Sequence, residues 1–182
     1  MAVYHESGLR LDLPAGQHFR FADLAPYKVL SGQSLKEMDF AWVHGGKLFL
    51  LEVRSYSQIT TTLTGADFVP VKGQPVPYRF QALIDKVTDS TLMLLAAWAG
   101  SAWGQQLKAT LPAPAQLVMP VKLVIAVELP PALTMHLQGL RDSLNARLQG
   151  RIGVGDVRRV VLIDYARLIS DPAFNGMVTA HP

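Results

Sequence analysis

Two adjacent glycines, Gly45-Gly46, constrain the fold of this 182-residue chain more than any other feature. They separate two apolar runs that together cover residues 37 to 54. Two-residue Gly-Gly connections are typical of tight β-hairpins, because both turn residues need a positive φ angle that glycine adopts without steric cost. The spacing therefore predicts a hairpin in which His44 pairs with Lys47.

This register places Asp39 directly opposite Glu52, and Glu37 opposite Arg54. Because side chains alternate along a strand, Asp39, Glu52 and Arg54 are expected on one face of the hairpin. The other face is apolar and is predicted to pack beneath a helix. Its members are Phe40, Trp42, Phe49, Leu51 and Val53.

Two directly opposed carboxylates repel each other, so the pair favours a cation between them. Opposed Cβ atoms lie about 5 Å apart, which lets Asp39 and Glu52 share one hard divalent ion. The neighbouring Arg54 is suited to hold a phosphate oxygen. The arrangement predicts a magnesium-type site for phosphodiester chemistry. The alternatives are two solvated carboxylates without a ligand, and a surface salt bridge between Arg54 and Glu37.

The same residues resemble the core motif of the PD-(D/E)xK nuclease superfamily. Met38-Asp39 is followed, after twelve residues, by Glu52-Val53-Arg54 at the end of an apolar run. In that superfamily the two acids bind Mg²⁺, and a lysine two positions after the second acid activates or positions water. The resemblance implies that Asp39 and Glu52 are catalytic residues that bind Mg²⁺ (or Mn²⁺).

Two positions depart from that motif. Met38 replaces its proline, a minor change, and Arg54 replaces its lysine. Arginine stays protonated and cannot act as a base, although it can hold a phosphate through two parallel hydrogen bonds. Lys86, on the next predicted helix, is a candidate for the missing ammonium, as displaced lysines are in some relatives. Otherwise Lys86 belongs to the solvated side of that helix.

The order of elements predicts one α/β domain over residues 1–182, a central mixed β-sheet flanked by helices. A run at Val121–Glu128, apolar at almost every position, indicates a strand buried on both faces. The order agrees loosely with the αβββαβ core of restriction-endonuclease-like proteins. The other predicted elements are a possible strand at His18–Ala22, a helix at Phe80–Ala99, a helix after Pro130-Pro131 and a strand at Val157–Tyr165.

Basic side chains outnumber acidic ones, 17 to 14, and the formal net charge of +3 permits an anionic partner. The Thr-, Gly- and Pro-rich segment 55–79 is long for a connection and is predicted to be a substrate loop. Lys72 and Arg79 in this segment are candidate substrate-binding residues. Other candidates for a phosphate-contacting face are Arg141, Arg147, Arg151, Arg158 and Arg159.

Composition excludes several classes of protein. Hydrophobic residues make up 49% of the chain and charged residues 17%, which excludes disorder as the dominant state. Cysteine is absent, which excludes disulfide frameworks and cysteine nucleophiles. The first residues lack the pattern of a secretory signal, and the most apolar window, 92–103, is too short to span a bilayer. A cytoplasmic location without membrane contact is therefore predicted.

Together these features predict a metal-dependent nuclease that hydrolyses phosphodiester bonds in DNA. The alternative is a protein of the same fold that is catalytically impaired and acts as a nucleic-acid-binding or scaffold subunit of a larger complex. The apolar composition is compatible with a surface covered by a protein partner or by a second copy in a homodimer.

Overall fold

A computed structural model describes residues 1–57, 62–174 and 176–181. Its strands are β1 (Ala2–Glu6), β2 (Leu9–Leu13), β3 (His18–Phe19), β4 (Phe40–His44), β5 (Lys47–Ser55), β6 (Val121–Glu128), β7 (Val161–Asp164) and β8 (Val178–Ala180). Its α-helices are α1 (Ala25–Ser31), α2 (Tyr78–Ala99), α3 (Ala102–Thr110), α4 (Leu137–Gly153) and α5 (Tyr165–Ser170). The result is an α/β fold with helices flanking its sheets, which confirms the predicted class, but the strands form two sheets where one central sheet was predicted.

The larger sheet has the strand order β3-β4-β5-β6-β7 and is mixed. The β3-β4 and β4-β5 pairs are antiparallel, whereas β5, β6 and β7 run parallel. Parallel neighbours need a crossover connection, and α2 with α3 provides one while α4 provides the next. The ends of β5, β6 and β7 therefore meet at one edge of the sheet.

The predicted hairpin register is confirmed. His44 pairs with Lys47 and Phe40 with Leu51, and both turn glycines have a positive φ, 56° and 71°. Strand β4 begins at Phe40, so Asp39 directly precedes the ladder. Its carboxylate continues the pairing by accepting a hydrogen bond from the Val53 amide at 2.9 Å.

The two faces of this sheet are covered differently. One face, which includes Leu48 and Leu50, packs against α2 and α4. The aromatic face packs against the smaller sheet β1-β2-β8 and against α5. The prediction of a helix over the aromatic face was therefore wrong in the main: Leu9, Leu11 and Leu13 alternate along β2 and supply an apolar sheet face instead.

Helix α2 agrees with the predicted helix at Phe80–Ala99. It begins after Pro77 and ends at Gly100, which has a φ of 75°. That left-handed conformation is the usual helix terminator and costs glycine no steric strain. An apolar stripe, Leu83, Ile84, Val87, Leu94 and Ala97, is buried against the sheet. Helix α2 therefore lies over the face that carries the predicted acidic pair.

Strand β6 is confirmed at its predicted bounds, and its residues 123–127 are buried on both faces. Two other boundaries differ. The predicted strand at 157–165 corresponds to the shorter β7: the Val160 backbone pairs with the Asn145 side chain before it, and Asp164 accepts a hydrogen bond from the Arg167 amide at 2.7 Å and starts α5. The early strand covers only His18–Phe19 before a 3₁₀ helix at Phe21–Asp23.

The predicted substrate loop at 55–79 contains residues 58–61, which lie outside the described residues. The described part includes a 3₁₀ helix at Gly65–Asp67 with Thr64 and Asp67 capping each other, so this part is not structureless. Among the described residues, every helix is too short or too polar to cross a membrane.

Candidate functional site: an acid–lysine cluster under helix α2

Helix α2 brings Lys86 to the acidic pair of the hairpin. The Lys86 ammonium lies 3.0 Å from Asp39 Oδ1 and 2.8 Å from Glu52 Oε2. The Nε of Arg54 lies 2.7 Å from the second Glu52 oxygen, Oε1. We call Asp39, Glu52, Arg54 and Lys86 the acid–lysine cluster. Two negative and two positive groups meet in it.

Burial separates the members of this cluster. The Glu52 side chain is fully buried, at 0% exposure, and those of Lys86 and Asp39 are 12% and 13% exposed. The Arg54 side chain is 43% exposed. Charges this deep in a protein are maintained only by partners, because removing an ion from water costs several kcal/mol. Lys86 is that partner for both acids.

Burial, and next the nearby negative charge of Asp39, raise the pKa of Glu52 to about 8, against the opposing effects of Lys86 and Arg54. Glu52 therefore changes its charge near neutral pH, which is unusual for a carboxyl. Burial lowers the pKa of Arg54, but the carboxylates of Glu52 and Asp39 outweigh that effect and hold it above its ordinary value. Strongly perturbed acids in a cleft are typical of functional sites.

The structure decides between the alternatives that the sequence left open for these side chains. Two solvated carboxylates are excluded, because Glu52 is buried and both acids bind Lys86. The Glu37–Arg54 salt bridge is also wrong: Arg54 pairs with Glu52, and the Glu37 carboxylate accepts a hydrogen bond from the Tyr27 hydroxyl. Lys86 does not lie on a solvated helix face.

A cavity of about 160 Å³ opens beside the cluster, and Glu52, Arg54 and Lys86 line it. Arg79, predicted to bind substrate, also lines this cavity, and its guanidinium lies 5.6 Å from the centre of the Tyr56 ring. Lys72, the other predicted substrate-binding residue, is exposed and is not part of the lining. The structure thus brings Arg79, but not Lys72, to the cavity.

Three residues near the site were missed by the sequence interpretation. Tyr56 and Tyr78 line the cavity, Tyr56 buried and Tyr78 78% exposed. The alternation Glu52, Arg54, Tyr56 along one strand face was a signal for the first of them. Arg20 donates from Nε to the main-chain oxygen of Asp39 at 3.2 Å, and no sequence pattern indicated this contact.

The donor atoms of the cluster suit a hard divalent cation. Asp39 Oδ1 and Glu52 Oε2 converge on one position, and the Lys86 ammonium fills that position. Among the described residues no set of three or more histidine, aspartate or glutamate side chains could hold a metal. A carboxylate pair is nevertheless typical of Mg²⁺ sites, where water and substrate phosphates complete the octahedron. The residues therefore fit such an ion, provided that Lys86 withdraws.

Neither a protein-family model, nor a curated protein, nor a solved structure matches this chain. Any functional interpretation consequently depends on the geometry of the acid–lysine cluster and its surroundings.

Proposed function

We propose that this chain is a metal-dependent nuclease-like protein that hydrolyses phosphodiester bonds in DNA. The observation that carries the proposal is the position of the Lys86 ammonium, 3.0 Å from Asp39 and 2.8 Å from Glu52. The PD-(D/E)xK resemblance implies two acids and a lysine that meet at one site. Arg54 occupies the usual position of that lysine, and Lys86 supplies an ammonium from the helix instead.

Asp39 and Glu52 are the residues that would hold Mg²⁺ or Mn²⁺. When bound, such an ion supplies Lewis acidity toward the phosphate and lowers the pKa of a coordinated water. Glu52 contributes a charged ligand only when ionised, so with its pKa raised to about 8, metal binding should strengthen as the pH rises through that value.

Arg54 and Arg79 are the groups that would bind the phosphate. Among the contacts between described residues, Arg54 uses only Nε in the cluster, which leaves its two terminal nitrogens for a phosphate oxygen. Arg79 approaches the same cavity from the start of α2. Lys86, released from one carboxylate, could then donate a hydrogen bond to the phosphate or orient the attacking water.

One observation favours the second candidate function, a catalytically impaired nucleic-acid-binding or scaffold subunit. When Glu52 is ionised, Lys86 and Arg54 balance the charges of both acids, so the cluster needs no metal ion for charge balance. A buried ion cluster of this kind can be retained as a structural element alone. Cleavage activity and its metal dependence separate the two candidates.

The test is a cleavage assay on supercoiled plasmid and on single-stranded DNA, with Mg²⁺, with Mn²⁺ and with EDTA. The variants are Glu52→Gln and Lys86→Met. The matched control is Lys36→Met, which removes another lysine that pairs with an α2 residue, since Lys36 Nζ lies 2.7 Å from Asp85. We expect metal-dependent cleavage that falls at least about 100-fold in both cluster variants and is unchanged in the control.

Two results would contradict the proposal. Cleavage that persists in folded Glu52→Gln protein would remove this cluster from the reaction. Wild-type protein that binds DNA but cleaves none of it with either metal would favour the binding or scaffold function.

A further inference from the structure

A second cavity lies away from the acid–lysine cluster, between α4 and the edge strand β7. Its volume is about 600 Å³, and four arginines line it: Arg141, Arg158, Arg159 and Arg167. We call it the arginine groove. These arginines come from three separate segments, namely α4, the residues before β7, and α5. The fold therefore brings together positive charges that lie apart in the sequence.

The charge in this groove is largely uncompensated. Asp142 is the one acid of its lining, and it accepts a hydrogen bond from Arg141 Nε at 3.1 Å. Within the described ranges, Arg158, Arg159 and Arg167 form no salt bridge with an acidic side chain. All three are exposed. The lining carries four arginines and one aspartate, so its formal net charge is +3, which equals that of the whole chain.

We propose that the arginine groove binds the phosphate backbone of a nucleic acid. Guanidinium groups form two parallel hydrogen bonds with phosphate oxygens, and several of them in one groove suit a polyanion. Phosphate contacts of this kind give affinity without requiring a particular base sequence. The choice of nucleic acid as the partner depends on the proposed function, whereas the charge of the groove does not.

An acidic peptide that adds to the edge of β7 is the competing occupant, and the structure disfavours it. Strand β7 has only four residues. The residue before the strand, Val160, is already paired: the Asn145 side chain accepts from its amide at 2.8 Å and donates to its carbonyl at 3.1 Å. A peptide strand would therefore find few free backbone groups for pairing, whereas a phosphate needs only the guanidinium donors.

The location of the groove relates it to the proposed active site. Strands β5, β6 and β7 are parallel, so the end of β5 near Glu52 and Arg54 lies at the same sheet edge as the start of α5, which carries Arg167. Two strand spacings separate β5 from β7, about 10 Å. Arg167 therefore lies toward the strand ends that carry Glu52 and Arg54, whereas Arg158 and Arg159 precede β7 and lie toward the opposite strand ends.

The test measures binding of a fluorescent 20-nucleotide DNA, single-stranded and duplex, by anisotropy in EDTA over a range of NaCl concentrations. The variant is Arg158→Gln/Arg159→Gln. The matched control is Lys28→Gln/Lys47→Gln, which changes the net charge equally at exposed positions outside the groove and outside the cluster. Both double variants change only exposed side chains, so unchanged thermal unfolding is expected for each.

We expect the groove variant to weaken binding about tenfold or more at 100 mM NaCl and to reduce the salt slope by about two, one for each lost phosphate contact. The control should lose less than about threefold. Equal losses in both double variants, or no DNA binding by the wild type, would overturn the inference. Displacement of the DNA by polyglutamate at equal charge concentration would overturn it in favour of an acidic peptide.

Because the assay contains no divalent metal, it separates this inference from the proposed function. Suppose that wild-type protein and Glu52→Gln both bind DNA through the groove, and the separate assay shows no cleavage. That result would support the groove as a binding site and exclude the nuclease. Cleavage without groove-dependent binding would support the nuclease and exclude the groove as the DNA-binding site.

Discussion

Lys86 is nearly buried and shared by two carboxylates, whereas Arg158 and Arg159 are exposed and have no acidic partner among the described residues. The same kind of charge therefore stands in two opposite environments. In the acid–lysine cluster, each ion depends on the others, and removal of one leaves a buried charge uncompensated. In the arginine groove, Arg158, Arg159 and Arg167 are solvated and can bind a ligand without losing an acidic partner among the described residues. Stability should depend on the first set, and salt-sensitive binding on the second.

The largest effect on stability is expected for Lys86→Met at pH 9, where Glu52 is ionised. This change removes the cation that Asp39 and Glu52 share, so Glu52 must either remain charged without it or take up a proton, and the free energy of unfolding should fall by about 3–5 kcal/mol. Urea denaturation measures it. Adding Glu52→Gln to Lys86→Met should recover part of the loss, and a loss below about 1 kcal/mol would show that the cluster is more solvated than its burial indicates.

A pH dependence is the second expected effect. The folded-state pKa of Glu52 is raised from 4.5 to about 8, so between these values the folded protein binds more protons than the unfolded chain. The free energy of unfolding of metal-free wild type, relative to Glu52→Gln, should therefore fall as the pH rises from about 5 to 8. The slope approaches about 1.4 kcal/mol per pH unit. A flat difference across this range would mean that Lys86 and Arg54 keep Glu52 ionised throughout.

The smallest effect is expected in the arginine groove. Arg158→Ala/Arg159→Ala removes two exposed cations with no acidic partner in the described ranges, and should change the free energy of unfolding by less than about 0.5 kcal/mol. Equilibrium urea unfolding, carried out as for Lys86→Met, gives the comparison. A loss as large as that of Lys86→Met would show that the groove arginines support the fold and would remove the contrast between the two regions.

The local part of the candidate site was predictable because it depends on short-range rules. A two-residue glycine turn sets the register, and side-chain alternation then places Asp39, Glu52 and Arg54 on one face. The helical period identified α2 almost to the residue. That Lys86 occurs on the helix after the hairpin was visible in the sequence. That its ammonium reaches both acids depends on how α2 crosses the sheet, which no local pattern specifies.

Long-range pairing accounts for most of what the sequence did not predict. The smaller sheet joins β2 to β8, and these strands lie more than 160 residues apart along the chain. The same difficulty applies to the aromatic face, since either a helix or a second sheet can cover an apolar strand face. Arg167 was absent from the predicted basic face; the predicted strand ended at Tyr165, and no helix was predicted where α5 begins.

The dependence of the acids on Lys86 has a consequence for folding cooperativity. The hairpin alone would carry two facing carboxylates that repel each other, and it reaches its most stable form only when α2 docks. The contacts Lys86–Asp39 and Lys86–Glu52 span 47 and 34 residues of chain, so they report on tertiary assembly and not on local structure. Folding rates of Lys86 variants would thus reveal whether α2 already contacts the hairpin in the folding transition state. The contacts that they report on are those of the proposed active site.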